Sequence, residues 1–276
     1  MKPKRYIAWD TSSPTGIITA FEEFNSGYRV VVEWTLSLET SKHSERLLWA
    51  IDTVLESAGW QLEDLCAIGV GVGPGSFTGL RIGITTAKIL ASQIQIPIVP
   101  VSSLAILARG AVRAAKAHPQ GDRALILALQ DAAKGEWFTL IGTAQAVQNC
   151  VVTADGDLPG AWGRGVKERT LAPETFLAEA RKVLKKSKTL PWVAVGIAVQ
   201  RYGDLLKILP KKQRIEMDFT FDPKVLAQIV WEGVQQGILR TSFQVRPHYL
   251  RESDAELKLK KGLLKPAPLI HRTGIA

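Results

Sequence analysis

"GVGVGPGSFTGLRIG", residues 69–83, continues an apolar run that reads as a buried strand (65–73) and leads into "LRIGITTAKILASQI", whose period is helical. Glycines between a strand and a helix are the usual form of a phosphate-gripping loop, so their spacing decides what this one is. A Walker loop needs a second glycine five positions after the first, then Lys and Ser or Thr. No glycine of the run has one. The dinucleotide fingerprint Gly-x-Gly-x-x-Gly meets Ser76 or Thr78 where its third glycine belongs. A nucleophile elbow needs glycine two residues to either side of its serine, and Ser76 has Pro74 and Thr78. What is left is a tight turn whose amides, around 76–79, open a helix beginning near Leu80, where the helix dipole favours an anion.

Upstream, "RYIAWDTSS" (5–13) reads as a buried strand ending in an acid and hydroxyls, with strands at 16–23 and 28–38 at hairpin spacing. From Ser41 the period changes: Leu47, Leu48, Ile51, Val54 and Leu55 share a helical stripe, Ser41 or Ser44 is the candidate N-cap, and Gly59 suits the stop. Downstream come a strand "IPIVPV" and a helix "SSLAILARGAVRAAKA". After Pro119 the pattern restarts: a strand pair "RALILALQDA" and "EWFTLIGTAQAV", a loop-like stretch over 155–173, a basic helix (174–186), and a strand "WVAVGIAV" (192–199). A long amphipathic helix (222–240) follows, with Asp222 placed to cap it. This order predicts an α/β chain with mixed sheets: lobe one over 1–110, lobe two over 111–256, and a basic tail over 257–276. The helix 222–241 is a candidate to pack back on lobe one, and the repeated order suggests an internal duplication.

The formal net charge of +9 is unevenly spread: residues 1–110 carry −1 and the remainder +10. A basic half suits nucleic acid or an acidic partner, and equally a solvated basic surface. Cys66 and Cys150 are too few for a disulfide framework, which points to the cytoplasm. The longest uncharged run, between Lys88 and Arg109, is broken by Pro97 and Pro100, so no membrane span or membrane partner is expected. "MKPKRYIAWD" is too short and too soon acidic for a signal peptide.

"GVGPGSFTGLRIGITTAKILA" closely resembles the signature of the TsaB (YeaZ) family. Other segments agree: "IAWDTSSPTGIITA" with its Asp-Thr-Ser, "KHSERLLWAIDTVLESAG", "LQDAAKGEWF" and "VRPHYLRESDAE". The resemblance is dense over 5–110, patchy from 120 to 250, and absent after about 256. It implies the two-lobed actin-like ATPase (ribonuclease-H-like) fold. It also implies a non-catalytic subunit that dimerises with a TsaD-like catalytic partner, which transfers a threonylcarbamoyl group to the adenosine beside the anticodon of certain tRNAs. A TsaE-like ATPase joins that pair, and tRNA is met within the complex.

Several departures fit a subunit without chemistry of its own. Where actin-like ATPases read Asp-x-Gly this chain has Asp10-Thr11-Ser12, and a single Gly196 stands where the adenosine site tends to have paired glycines. The TsaD-like metal motif His-x-x-x-His is not met: His43 is followed by Arg46 and Leu47, and His118, His248 and His271 are scattered. No intrinsic cofactor or metal is therefore expected. Any ATP or ADP would sit at the subunit junction, with Asp10, Thr11, Ser12, Gly75, Ser76, Thr78, Gly79 and Arg81 as candidate anion or nucleotide contacts. The alternative is an ATPase or phosphotransferase that uses Asp10 and the glycine loop directly. Arg81 has two candidate partners, such an anion or an acid such as Glu45. The expected partner interface is a four-helix contact through Leu47, Leu48, Ile51 and Leu55 on one helix and Leu80, Ile84, Ala87, Lys88 and Ala91 on the other. The same surface would serve a homodimer when the chain is alone. Trp162, Trp192 and Trp231 are expected in the core.

Overall fold

The computed structural model describes residues 3–25, 27–38, 43–148, 166–186, 189–211, 214–215, 221–251 and 262. Three antiparallel strands open the chain: β1 (Lys4–Asp10), β2 (Thr15–Phe24) and β3 (Gly27–Ser37). The helix α1 (His43–Ala58) then leads to β4 (Leu65–Gly73), α2 (Phe77–Gln93), β5 (Ile98–Ser102) and α3 (Ser103–Ala115). The strands form one sheet in the order β3-β2-β1-β4-β5, parallel from β1 onward.

A second sheet repeats this plan. β6 (Leu125–Asp131), β7 (Trp137–Thr143) and β8 (Lys167–Leu171) are antiparallel neighbours, and β9 (Trp192–Val195) pairs parallel with β6, giving the order β8-β7-β6-β9. Three-two-one-four thus occurs twice, the topology of the actin-like, ribonuclease-H-like class that the sequence led us to expect. The duplication suggested by element order is present in the topology.

Three helices complete the second half: α4 (Ala144–Gln148), α5 (Pro173–Lys186) and α6 (Ile197–Tyr202). A last one, α7 (Pro223–Gln235), begins at Asp222, whose side chain accepts from the Lys224 amide. It packs on β1, β2, β3 and β5, so the helix expected to return to lobe one does so.

The two faces of the first sheet alternate along β1. Ile7 and Trp9 join a core with α1 and α2, while Tyr6 and Ala8 join a second core with α3 and α7. That second core continues into lobe two through Ile126, Ala128, Phe138 and Leu140, so one apolar layer joins the lobes. Leu125, Leu127 and Leu129 on the opposite face of β6 meet α5 and α6 in a third core. Trp192 is fully buried and Trp231 partly so; Trp162 and the tail, apart from Gly262, lie outside the described residues.

The structure corrects several boundaries, the last helix among them: it ends at Gln235, short of the expected 240. The segment 136–147 is not one strand: after Thr143 the chain turns into α4, with the Thr143 hydroxyl accepting from the Ala146 amide. The strand expected over 192–199 ends at Val195, and Gly196 at φ +107° starts α6. Within the loop-like stretch 155–173, residues 167–171 form β8, whose charged sequence "KERTL" carries no apolar alternation.

The glycine run is held by the chain beside it. A Cβ at Gly79 would overlap the Thr11 carbonyl oxygen, and one at Gly75 would lie 2.5 Å from that of Ser12. Gly79→Ala should therefore cost about 1–3 kcal/mol of unfolding free energy in urea, whereas Gly203→Ala, where a Cβ meets open space, should be near neutral. Equal effects of the two substitutions would contradict this packing.

Candidate functional site

The end of β1 sits directly on the glycine run. Ser12 accepts from the Ser76 amide through its carbonyl (2.7 Å), and Thr11 donates its hydroxyl to the Gly79 carbonyl (2.7 Å). Ser76 caps α2, which starts three residues before the expected Leu80, its hydroxyl accepting from the Gly79 amide (3.2 Å) while its carbonyl takes the Leu80 amide (2.9 Å). The Gly73–Pro74 peptide is cis. Trp9 adds an indole donation to the Gly83 carbonyl (3.1 Å).

Asp10 is 1% exposed. One carboxyl oxygen accepts from the Ser12 amide (2.8 Å) and hydroxyl (2.6 Å), and the other from the Ser103 hydroxyl (2.5 Å). Burial pushes this carboxyl above its ordinary range, and the hydrogen bonds from Ser103 and Ser12 only oppose the rise.

The structure thus brings together Asp10, Thr11, Ser12, Gly75, Ser76 and Gly79, as expected. The amides of Ser76 and Gly79 donate inside the chain and both Asp10 oxygens are taken, so these groups do not form an open anion cradle. Thr78 is exposed beside them. Arg81 leaves the group: its guanidinium lies 4.0 Å from the Phe77 ring centroid and its Nε 3.4 Å from the Tyr249 hydroxyl.

The interface expectation needs a larger correction. Leu47, Ile51, Leu55, Leu80, Ile84, Ala87 and Ala91 are buried against their own sheet, none more than 6% exposed. Lys88 is half-buried and donates to the Val245 carbonyl. Of the nine residues named, Leu48 alone is strongly exposed, at 51%. Periodicity locates the apolar stripe, and the stripe covers the chain's own sheet, α1 lying on β2 and β3 and α2 chiefly on β4. Outward from it stand Trp49 (60% exposed), Ile89 (61%) and, beside α2, Phe243 (83%). Trp49 leans edge-on against Trp34 of β3, with centroids 5.2 Å apart.

A strap after α7, residues 240–251, ties the lobes together. Arg240 bridges to Ile98, Val245 enters the lobe-one core, and the His248 amide donates to the Val72 carbonyl (2.7 Å). Its other side engages lobe two: the Thr170 hydroxyl donates to the Leu250 carbonyl (3.1 Å), Arg251 donates to the Ala132 carbonyl, and the His248 imidazole lies 3.1 Å from Glu168. Glu168 also accepts from Ser102. Sequence spacing gave no sign of this cluster, because its members come from β5, β8 and the strap.

Among the described residues, no three His, Cys, Asp or Glu side chains converge as a metal would need. The His118 imidazole accepts from the Gln120 amide, and the side chain of His43, with all of His271, lies outside the described residues. No described helix is long and apolar enough to cross a membrane.

The model of the family described as "TsaD: tRNA N6-adenosine threonylcarbamoyltransferase" matches residues 37–258. The chain is 32% identical over 166 residues to the tRNA threonylcarbamoyladenosine biosynthesis protein TsaB of Escherichia coli, covering 60% of this chain and 62% of that one. It is 38% identical over 133 residues to the protein of the same name in Bacillus subtilis, covering 48% and 52%. The matches therefore span between half and two thirds of these curated relatives. The crystal structure of YeaZ from Pseudomonas aeruginosa shares the fold, with a TM-score of 0.65 at 24% identity over 90% of this chain and all of that one.

The Asp10 pocket carries a pH signature. The folded chain holds the carboxyl proton more tightly than the unfolded chain, so this group's contribution is complete below the ordinary carboxyl pKa and is lost as pH rises through the raised value. Asp10→Asn should remove that dependence: in urea unfolding, the variant should gain on the parent as pH rises, with the gain absent in acid. A difference constant with pH would contradict the assignment.

Proposed function

This chain belongs to the tRNA N6-adenosine threonylcarbamoyltransferase family, in its TsaB (YeaZ) branch, and from that premise we propose that it is a non-catalytic scaffold subunit. It docks a TsaD-like catalytic partner for threonylcarbamoyl transfer to the adenosine beside the anticodon of tRNA, in a cytoplasmic complex that a TsaE-like ATPase joins. The observation that carries this reading is a division of labour across α1 and α2. Their inner stripe closes the chain's own core, while Leu48, Trp49 and Ile89 keep large apolar surface in water. Scattered exposed apolar residues are ordinary, but a Trp at 60% and an Ile at 61% on adjoining helices are the kind of anchors that interfaces bury.

The docking face is therefore the outer side of the two helices. Two helix faces suit a specific interface, which buries roughly 1,600 Å² in total. A second copy of the chain is the occupant when the partner is missing. The spent donors around Asp10 favour a scaffold over an ATPase working through that residue, and this reading gives the chain no cofactor of its own.

Leu48→Glu and Ile89→Glu should each weaken co-purification with the TsaD-like partner by ~30-fold or more, the scale of an interface anchor worth about 2 kcal/mol. Both positions are exposed, so melting temperature should barely move. Full pairing by the double variant would remove this face from consideration.

A further inference from the structure

Between the lobes, where the strap crosses the start of α2, lies a cleft of about 530 Å³, inside the range of ~300–1,000 Å³ usual for small-ligand sites. At its mouth, side chains from both ends of the chain form a layered platform. The Phe77 and Tyr249 rings stack with centroids 5.0 Å apart and planes 25° from parallel, and the Arg81 guanidinium lies over Phe77. The rings remain 37% and 42% exposed, while the cleft wall behind them is apolar, with Leu80, Phe138 and Leu250.

The other charged groups of the cleft are engaged within the chain. Asp131 pairs with Arg201 and accepts from the Tyr202 hydroxyl (3.3 Å), His248 faces Glu168, and Arg251 donates to the Ala132 carbonyl. Arg81 has no carboxylate partner among the described residues; its contacts are the Phe77 ring and the Tyr249 hydroxyl. A cation fixed on an aromatic ring, beside an open π-face and an apolar recess, suits a ligand that combines a flat ring with an anion.

We propose that this platform binds a nucleotide unit. The base stacks on the Phe77–Tyr249 pair and the phosphate meets Arg81. A free mononucleotide and an unpaired nucleotide of an RNA present the same chemistry. The site differs from a phosphate grip on Asp10 and the glycine amides, whose hydrogen bonds are already made inside the chain. It is also separate from the docking face, since Leu48, Trp49 and Ile89 take no part in it, so partner docking and nucleotide binding can fail independently.

The test titrates the full chain with AMP and, separately, with a short unstructured oligoadenylate, by calorimetry or by anisotropy of the labelled oligonucleotide. At least one probe should bind saturably, and Tyr249→Ala and Arg81→Gln should each weaken it ~10-fold or more, the size of effect seen when a base loses its stacking partner. Tyr249→Phe, which keeps the ring, should bind nearly as the parent does. Binding by AMP alone assigns the site to free nucleotide, and tighter binding by the oligonucleotide assigns it to RNA. No saturable binding of either probe at millimolar concentration overturns the proposal. So does an unchanged Kd in variants whose melting temperatures match the parent, or equal losses in Tyr249→Phe and Tyr249→Ala.

Discussion

The structure depends on one close approach: the backbone of Thr11 and Ser12, at the end of the first strand, rests on the start of α2. That contact needs a surface without Cβ atoms, which the glycines supply. It also needs its polar groups paired, which the amide of Ser76 and the hydroxyls of Thr11 and Ser76 achieve. From it follow the seat of α2 on β4 and the burial of Asp10. A run that looks like a phosphate loop is here filled by the protein's own chain.

The rest of the molecule is built around that joint by repetition. Two sheets of the same three-two-one-four plan face each other across α3 and a shared apolar layer. The second lobe diverges where the first is most constrained: its β6–β7 turn carries Ala133 and Lys134 in left-handed backbone, and α6, after Gly196, is only six residues long. The strap then returns over the junction and bonds both halves.

Much of this was legible in the sequence, for identifiable reasons. The limits of β4 are legible because a continuous apolar run ends at glycines. The helix α7 was legible from Asp222 and its stripe. Other features were hidden. β8 is short and charged, and the partners of Glu168 within it, Ser102 and His248, come from elsewhere in the chain. The start of α2 is hidden because Phe77, Thr78 and Gly79 carry no helical period. Periodicity reports which residues share a face and not what that face meets, which is why Leu47, Ile51 and Ala87 read as partner-facing and yet belong to the core. Arg81 and Tyr249 stand 168 residues apart, so only the folded chain shows that they touch.

The account is tested most directly by hydrogen exchange at single amides of the ligand-free chain, followed by NMR. If the glycine run is sealed by the end of β1, the Ser76, Gly79 and Leu80 amides should exchange only through global unfolding, as slowly as the central amides of β1 and β4. Exchange at the rate of an exposed loop would mean that those donors stand open, and that the run is a vacant binding loop after all.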